Sequence, residues 1–223
     1  MIYKRMKGTI METIVQAKRV LEIFKEMSQI PRESGNEKGI SDYIVNFGKN
    51  LGLEVHQDEI FNVVIKKAAS PGYENRPSII LQGHIDMVCV KDHDSNHDFA
   101  KDPIANIIEG EWMHADHTTL GADNGMGGAM MLAILEDDSQ QHGPMQLLFT
   151  TNEETGMDGA FAIKEGQVSG DYLLNLDTEI EHDFTVSCAG GCHVHVNIPL
   201  LRENNQPGYD AGLSLTVTGL KGG

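Results

Sequence analysis

The stretch that decides the fold is Ser78–Val88, which reads SIILQGHIDMV. It begins as an apolar run typical of a buried strand and then places a histidine and an aspartate two positions apart. Side chains alternate along a strand, so His84 and Asp86 lie on one face if the extended conformation continues that far. We therefore expect a buried strand at whose end one of these groups orients the other.

The segments before this strand predict two helices and two further strands. Apolar residues at helical spacing begin near residue 12 and stop at Pro31,. A second amphipathic helix is predicted over Ile40–Leu51, with Asn36 as its N-cap and Gly52 directly after its end,. The short runs LEVHQD and NVVIKK then alternate like strands, and together these elements predict a mixed α/β fold,.

Residues 91–121 are polar and show little periodicity, so we expect one long loop region, a type of segment that is often functional,. A buried helix follows, NGMGGAMMLAILED, with glycines in its first turns,. Beyond Glu179 the sequence alternates strongly and predicts antiparallel strands,. We place a domain boundary near residues 189–191, with residues 1–189 in a first domain and residues 190–223 at the start of a second.

Acidic side chains follow the other predicted strands as well. Glu153 and Glu154 end the apolar segment MQLLFTTNEE, and Asp177 ends the strand DYLLNLD. Asp123 lies in the glycine-rich segment LGADNGMGG, where the backbone can bring a carboxylate close to a shared centre,. Carboxylates with one imidazole suit Zn²⁺, Mn²⁺ or Co²⁺, so the pattern favours a shared metal site.

Each of these residues also has a simpler interpretation when it is taken alone. A single histidine at a strand end is most often a hydrogen-bonded structural residue, and Asp123 fits a helix N-cap. Glu153 and Glu154 fit a solvated acidic pair, and Asp177 fits a turn residue. The metal hypothesis therefore depends on the coincidence of all of them. Adjacent glutamates can also divide the work, one binding metal and the other accepting a proton.

The composition excludes several classes of protein. There are 33 acidic and 17 basic residues, and the resulting formal charge of −16 repels nucleic acids and anionic membranes,. Three cysteines without a CxxC pair favour a reducing compartment, so we expect a cytoplasmic protein,. The N-terminal residues lack the apolar core of a signal peptide, and no segment reaches the 18 or so uninterrupted apolar residues of a membrane span,.

Four motifs in this sequence, GHIDMV, HTTLGADNGMG, TNEETGMDGA and LNLD followed by CAGG, resemble those of the di-zinc exopeptidases of the glutamate carboxypeptidase and dipeptidase type. HDFAKDPI, EWMHA and GLKGG are similar to the aminoacyl-histidine (Xaa-His) dipeptidase subgroup, also called peptidase D. The fold that this resemblance implies is a mixed, mostly parallel sheet flanked by helices. The first antiparallel strands of a truncated lid domain would follow it.

The resemblance also implies a role for each candidate residue. His84 and Asp177 would hold one zinc, Asp123 would bridge, and Glu154 would hold the other zinc. Asp86 would orient His84. Glu153 would be the general base that deprotonates the bridging water. The peptide bond after Asp123 is often cis in such enzymes. A last zinc ligand, a histidine far downstream, and the rest of the lid lie beyond residue 223, so we expect this chain to be an N-terminal fragment that is inactive alone.

The function that follows from the resemblance is hydrolysis of short unblocked peptides, with dipeptides ending in histidine as substrates and a homodimer as the assembly of the full-length protein. Two alternatives remain open. One is an N-acyl amino acid deacylase or a tripeptidase on the same scaffold. The other is a non-catalytic metal-binding module, which would not need a carboxylate such as Glu153 beside its ligands.

Overall fold

The computed structural model describes residues 11–178, 180, 183–187, 197 and 199. Four helices and seven strands lie in this part of the chain. The helices are α1 (Met11–Met27), α2 (Lys38–Asn50), α3 (Ala122–Glu136) and α4 (Asp158–Ala162). The strands are β1 (Glu54–Gln57), β2 (Val63–Lys67), β3 (Ile79–His84), β4 (Asn106–Glu109), β5 (Trp112–Ala115), β6 (Met145–Thr150) and β7 (Tyr172–Asn175).

Five of the strands form one sheet in the order β1-β2-β6-β3-β7. The pairs β1–β2 and β2–β6 are antiparallel, whereas β6–β3 and β3–β7 are parallel. The mixed sheet flanked by helices is therefore confirmed, with two antiparallel and two parallel pairs within this sheet. Because β6, β3 and β7 run in the same direction side by side, their carboxyl ends meet at one edge of the sheet.

The main core lies between this sheet and helices α1, α2 and α3. Ile40 and Ile44, which face the sheet one turn apart on α2, are fully buried, as the amphipathic pattern predicts,. On α3 the small Gly128 faces Met27 of α1. Burying one isoleucine side chain such as that of Ile40 stabilises the fold by about 1.5–3 kcal/mol. This packing holds the helices against the strands that carry the acidic residues.

Two local expectations are wrong. The long loop over residues 91–121 contains an antiparallel hairpin of β4 and β5, with Gly110 at positive φ in its turn. Its strands have four residues each and are too short to give a periodic signal. The N-cap of α2 is Glu37 rather than Asn36, and it makes no side-chain cap hydrogen bond because its carboxylate accepts one from the backbone N–H of Asn152 at 2.9 Å.

The predicted boundary near residue 190 and the antiparallel strands after it lie outside the described residues, and the two-domain division stays a prediction. Within the described residues, no helix combines the length and the apolar character that crossing a membrane requires.

Candidate metal and catalytic site

The site begins at the end of β3, where the sheet presents His84 with only 1% of its surface exposed. Its Nδ1 atom lies 3.1 Å from Asp86 Oδ1, and its Nε2 atom lies 3.0 Å from Asp123 Oδ1. The two ring nitrogens therefore face two different carboxylates. The pairing of His84 with Asp86 that the strand alternation predicts is confirmed.

Asp86 is completely buried and accepts hydrogen bonds from several directions. Ser34 Oγ donates to Oδ2 at 2.8 Å. The backbone N–H groups of Glu153 and Glu154 donate to Oδ1 and Oδ2 at 3.1 and 3.2 Å. One carboxylate thus fixes the imidazole on β3 and the backbone that follows β6, so it joins two segments of the site.

Asp123 is held at the start of α3 by an irregular backbone. Gly121 precedes the helix at φ 71°, and Asp123 itself has φ −82° and ψ 116°, outside the helical region. The Asp123–Asn124 peptide bond is cis, which confirms the expectation from the resemblance. Because its backbone is not helical, the carboxylate of Asp123 points toward the imidazole of His84 at the end of β3.

The remaining candidates come from the ends of β6 and β7. Glu153 Oε2 and Asp177 Oδ1 lie 4.0 and 3.8 Å from His84 Nε2. One ligand atom each of His84, Asp123 and Glu154 lies within 4.8 Å of the others. The structure thus brings all the predicted site residues together at one edge of the sheet, as expected from the parallel arrangement of β6, β3 and β7.

The acidic neighbours of His84 determine the pKa of its imidazole. Burial alone lowers the pKa of His84, but hydrogen bonds with Asp123 and Asp86, and the charges of Asp86 and Asp177, outweigh burial and raise the pKa to about 10. For Asp86, burial raises the pKa. Hydrogen bonds from His84, Ser34 and the backbone of Glu153 outweigh burial and bring the pKa below its usual range. A protonated His84 can donate a hydrogen bond from each ring nitrogen to one of these two carboxylates.

The carboxylates around this histidine are not equivalent. The hydrogen bond with His84 lowers the pKa of Asp123. Burial raises the pKa of Asp177 to about 6 despite the opposing effect of His84, and the charge of Asp123 adds to the rise. Burial and the charge of Asp123 also raise the pKa of Glu154. The folded chain therefore crowds negative charge into a partly buried space, where a cation would relieve the repulsion.

The donor set fits a divalent metal. In the described part of the chain, no lysine or arginine forms an ion pair with Asp123, Glu153, Glu154 or Asp177. One imidazole nitrogen and several carboxylate oxygens converge instead, which is the ligand chemistry of zinc and related ions. A buried carboxylate on the other nitrogen of the histidine, here that of Asp86, is the usual partner of a metal-bound imidazole.

A cleft of about 390 Å³ opens beside Asp123 and Glu154. Its walls come from the β5 strand and the segment that leads into α3, including Met113, His114 and Leu120. Its volume lies in the range of small-molecule sites, and its lining combines apolar side chains with the two carboxylates. The cleft therefore gives open space directly beside two carboxylates of the acidic cluster.

Sequence reasoning missed three residues in the segment between α1 and α2. Arg32, Ser34 and Glu37 all bond to parts of the site. The segment looks only turn-prone in the sequence, because its partners are distant along the chain and it has no periodicity. The sole local signal is the group of charged residues in PRESGNE, and charged residues in a turn are usually exposed,.

The sequence matches the model of peptidase family M20/M25/M40 over residues 80–208, which is more than half of the chain. It is 45% identical over 202 residues to the cytosol non-specific dipeptidase of Escherichia coli strain K12, covering 91% of this chain and 41% of that protein. This chain therefore spans about two fifths of the length of that relative.

Solved structures give the same picture. Aminoacylhistidine dipeptidase from Vibrio alginolyticus matches with a TM-score of 0.71 and 46% identity, over 73% of this chain and 33% of that one. A tripeptidase from Staphylococcus aureus matches with a TM-score of 0.61 and 28% identity, over 72% of this chain and 43% of that one. The family match over residues 80–208 includes the part of the chain that holds the acidic cluster.

Proposed function

This chain belongs to peptidase family M20/M25/M40, and from that premise we propose that the protein hydrolyses short unblocked peptides, with dipeptides ending in histidine as substrates. The proposal rests on one observation above all. The ligand atoms of His84, Asp123 and Glu154 lie within 4.8 Å of one another, and the carboxylate of Glu153 approaches the same imidazole. A hydrolase that activates water needs both a ligand set and a nearby base.

The proposed metal is zinc, with two ions in the full-length active site, and Mn²⁺ or Co²⁺ would suit the same donors. His84 and Asp177 would hold one ion and Glu154 the other, with Asp123 shared between them. Support comes from the convergence of these side chains and from the absence, among the described residues, of a lysine or arginine paired with them. Bound zinc supplies a Lewis acid that polarises the scissile carbonyl and acidifies water.

Glu153 is the proposed general base. Glu153 follows the end of β6, and its Oε2 atom lies 4.0 Å from His84 Nε2. Its backbone N–H donates a hydrogen bond to the carboxylate of Asp86. In this role it accepts a proton from the attacking water and delivers it to the amine that leaves. Asp86 holds the imidazole of His84 in the tautomer whose Nε2 is free to bind metal. A module that only binds metal would have no use for Glu153.

The substrate class is supported by the relatives and by the size of the cleft. The two relatives with about 45% identity are called a non-specific dipeptidase and an aminoacylhistidine dipeptidase. A cleft of about 390 Å³ fits a ligand of dipeptide size,. The tripeptidase match at 28% identity favours tripeptides as the second candidate, and an N-acyl amino acid deacylase is the alternative on the same scaffold.

The test is a hydrolysis assay of the full-length protein after zinc loading. The panel contains dipeptides ending in histidine, the same dipeptides ending in alanine or leucine, a tripeptide, and N-acetyl amino acids. We expect kcat/KM to be highest for dipeptides that end in histidine. Equal rates on all dipeptides would leave a dipeptidase without that specificity. A preference for the tripeptide or the N-acetyl compounds would replace the proposal by the corresponding alternative.

We also propose a cytoplasmic location and a homodimeric full-length protein. The location is supported by the sparse cysteines and by the name of the relative from Escherichia coli, which is a cytosol dipeptidase. The dimer follows from the resemblance of the sequence to the exopeptidase family. Fractionation of cells and light scattering of the purified full-length protein test the two points separately.

A further inference from the structure

The segment Arg32–Glu37, which we call the positioning loop, touches three of the four backbone segments that lead into the acidic cluster. Arg32 donates to carbonyl groups after β3 and before α3. Ser34 bonds to the carboxylate of Asp86, and Glu37 accepts from the backbone N–H of Asn152, just before the two glutamates. One short segment thus connects parts of the site that are far apart in sequence.

Arg32 makes the most of these contacts. Its Nη1 atom donates to the carbonyls of Ile85 and Asp86 at 3.2 and 3.1 Å, and its Nη2 atom donates to the carbonyl of Gly121 at 2.5 Å. Its own carbonyl accepts a hydrogen bond from Met87 N–H at 3.1 Å. The guanidinium therefore bridges the backbone beside Asp86 and the backbone that leads to Asp123.

The burial of this arginine is unusual. Only 2% of Arg32 is exposed, and burial lowers the pKa of its guanidinium to about 10 despite the nearby charges of Asp86, Cys89 and Asp123. Among the described residues, its hydrogen-bond partners are carbonyl groups and not carboxylates. A buried cation without an ion-pair partner is costly, and an apolar side chain would fill the same space at lower cost. A role in packing alone does not account for it.

The start of α3 is shaped around the guanidinium. A Cβ atom added at Gly121 would lie 2.5 Å from Arg32 Nη2, and one added at Gly125 would lie 2.6 Å from the same atom. Gly121 also has φ 71°, which other residues adopt only with strain,. The absence of side chains at these two positions lets the backbone before and after Asp123 approach Arg32 closely.

We propose that Arg32 is a positioning residue of the metal site, which sets the distance between Asp86 and Asp123 through the backbone carbonyls that it bridges. It touches neither substrate nor metal. By fixing these two segments it pre-arranges His84 and Asp123 as ligands, so that metal binds without first moving the backbone. The part of the inference that concerns turnover rests on the proposed function, whereas the part that concerns metal affinity does not.

The test compares Arg32→Met and Arg32→Lys with the control Arg76→Met, whose arginine is exposed and lies over Tyr73. Metal-stripped protein is titrated with Zn²⁺ against a competing chelator, and the visible absorption of the Co²⁺ form reports ligand geometry. We expect Arg32→Met to weaken zinc affinity about 10–100-fold and to change the cobalt spectrum. Lysine carries all its donors on one nitrogen atom, so the zinc affinity of Arg32→Lys should lie between those of the parent protein and Arg32→Met. The control should have the zinc affinity of the parent protein.

Kinetics of the full-length protein add a second measurement. Arg32→Met should lower kcat by a larger factor than it changes KM, because the cleft wall formed by Met113, His114 and Leu120 has no described hydrogen bond with Arg32, whereas the proposed ligand geometry depends on that residue,. Folded Arg32→Met with the affinity and cobalt spectrum of the parent protein would overturn the inference. If Arg32→Met does not fold, Arg32→Lys and Gly121→Ala decide, and parental spectra in both would equally overturn it.

The two proposals fail in distinguishable ways. A parent protein that binds zinc but hydrolyses none of the peptide panel contradicts the proposed function, and the affinity and spectrum still test Arg32. A parent protein that hydrolyses dipeptides, together with an Arg32→Met variant of unchanged metal affinity, spectrum and kcat, contradicts only the role of Arg32.

Discussion

The carboxylate of Asp86 accepts a hydrogen bond from the backbone N–H of Glu153 at 3.1 Å, across a sequence separation of 67 residues. The same Oδ1 atom lies 3.1 Å from His84 Nδ1. Asp86 therefore couples the orientation of the proposed ligand to the position of the proposed base. The resemblance implies only the first of these two roles, and the second comes from the geometry.

Asp86→Asn should weaken zinc affinity about 10–100-fold and lower kcat, because an amide provides one acceptor oxygen where the carboxylate provides two. Zinc titration and steady-state kinetics measure both effects. Asp171→Asn is the matched control, since that carboxylate accepts from Ser78 at the opposite end of β3. Parental affinity and rate in Asp86→Asn would show that the aspartate has no role in the chemistry.

Glu153→Gln should keep the metal content and lower kcat by about 10²–10⁴, the scale of a lost general acid or base. The neighbouring Glu154→Gln should instead lose metal affinity, because that carboxylate belongs to the group with His84 and Asp123. Metal analysis of both variants beside their kinetics separates the two roles. Loss of metal in Glu153→Gln, or its near-normal turnover, would contradict the assignment.

Asp177→Asn should stabilise the metal-free chain near neutral pH. The pKa of Asp177 is raised to about 6 by burial and neighbouring acids, against about 3.9 in an unfolded chain. Its contribution to stability is therefore fully present below the unfolded value and is lost as pH rises through about 6. The variant should have the higher Tm at about pH 7.5, and the difference should shrink at about pH 4.

Zinc should reverse the order of the Tm values, so that the parent chain becomes more stable than Asp177→Asn. A ligand that binds only the folded state adds about 2.7 kcal/mol of stability at a concentration 100-fold above its Kd. The parent chain should gain this stabilisation, and Asp177→Asn should gain much less because it lacks a ligand. Thermal melts with and without zinc provide the measurement, and an equal gain in both proteins would remove Asp177 from the ligand set.

Gly127→Ala should damage the site, whereas Gly128→Ala should not. A Cβ atom at Gly127 would lie 2.1 Å from Asn124 Oδ1 and 2.5 Å from the carbonyl of Leu176, so it would push apart the segments that carry Asp123 and Asp177. At Gly128 the nearest atom is the flexible end of Met27, at 3.1 Å. Zinc titration should show weaker binding for the first variant only, although alanine improves helix propensity equally in both.

Much of the fold was predictable because its signals are local. Apolar runs marked β3 and β6, and helical spacing marked α1 and α2. The hairpin of β4 and β5 gave no such signal, because each strand has only four residues,. Short elements of this kind are stabilised by contacts that the local sequence does not contain.

The sequence alone determined which residue types stand at the strand ends, including His84, Asp86 and Asp177, because strand alternation and apolar runs act over a few neighbouring residues. Only the tertiary structure decided that β6, β3 and β7 lie side by side, which brings these ends together. It alone also revealed Arg32, whose bonds reach 53 to 89 residues along the chain. A buried cation is recognised by its surroundings, and folding is what creates those surroundings.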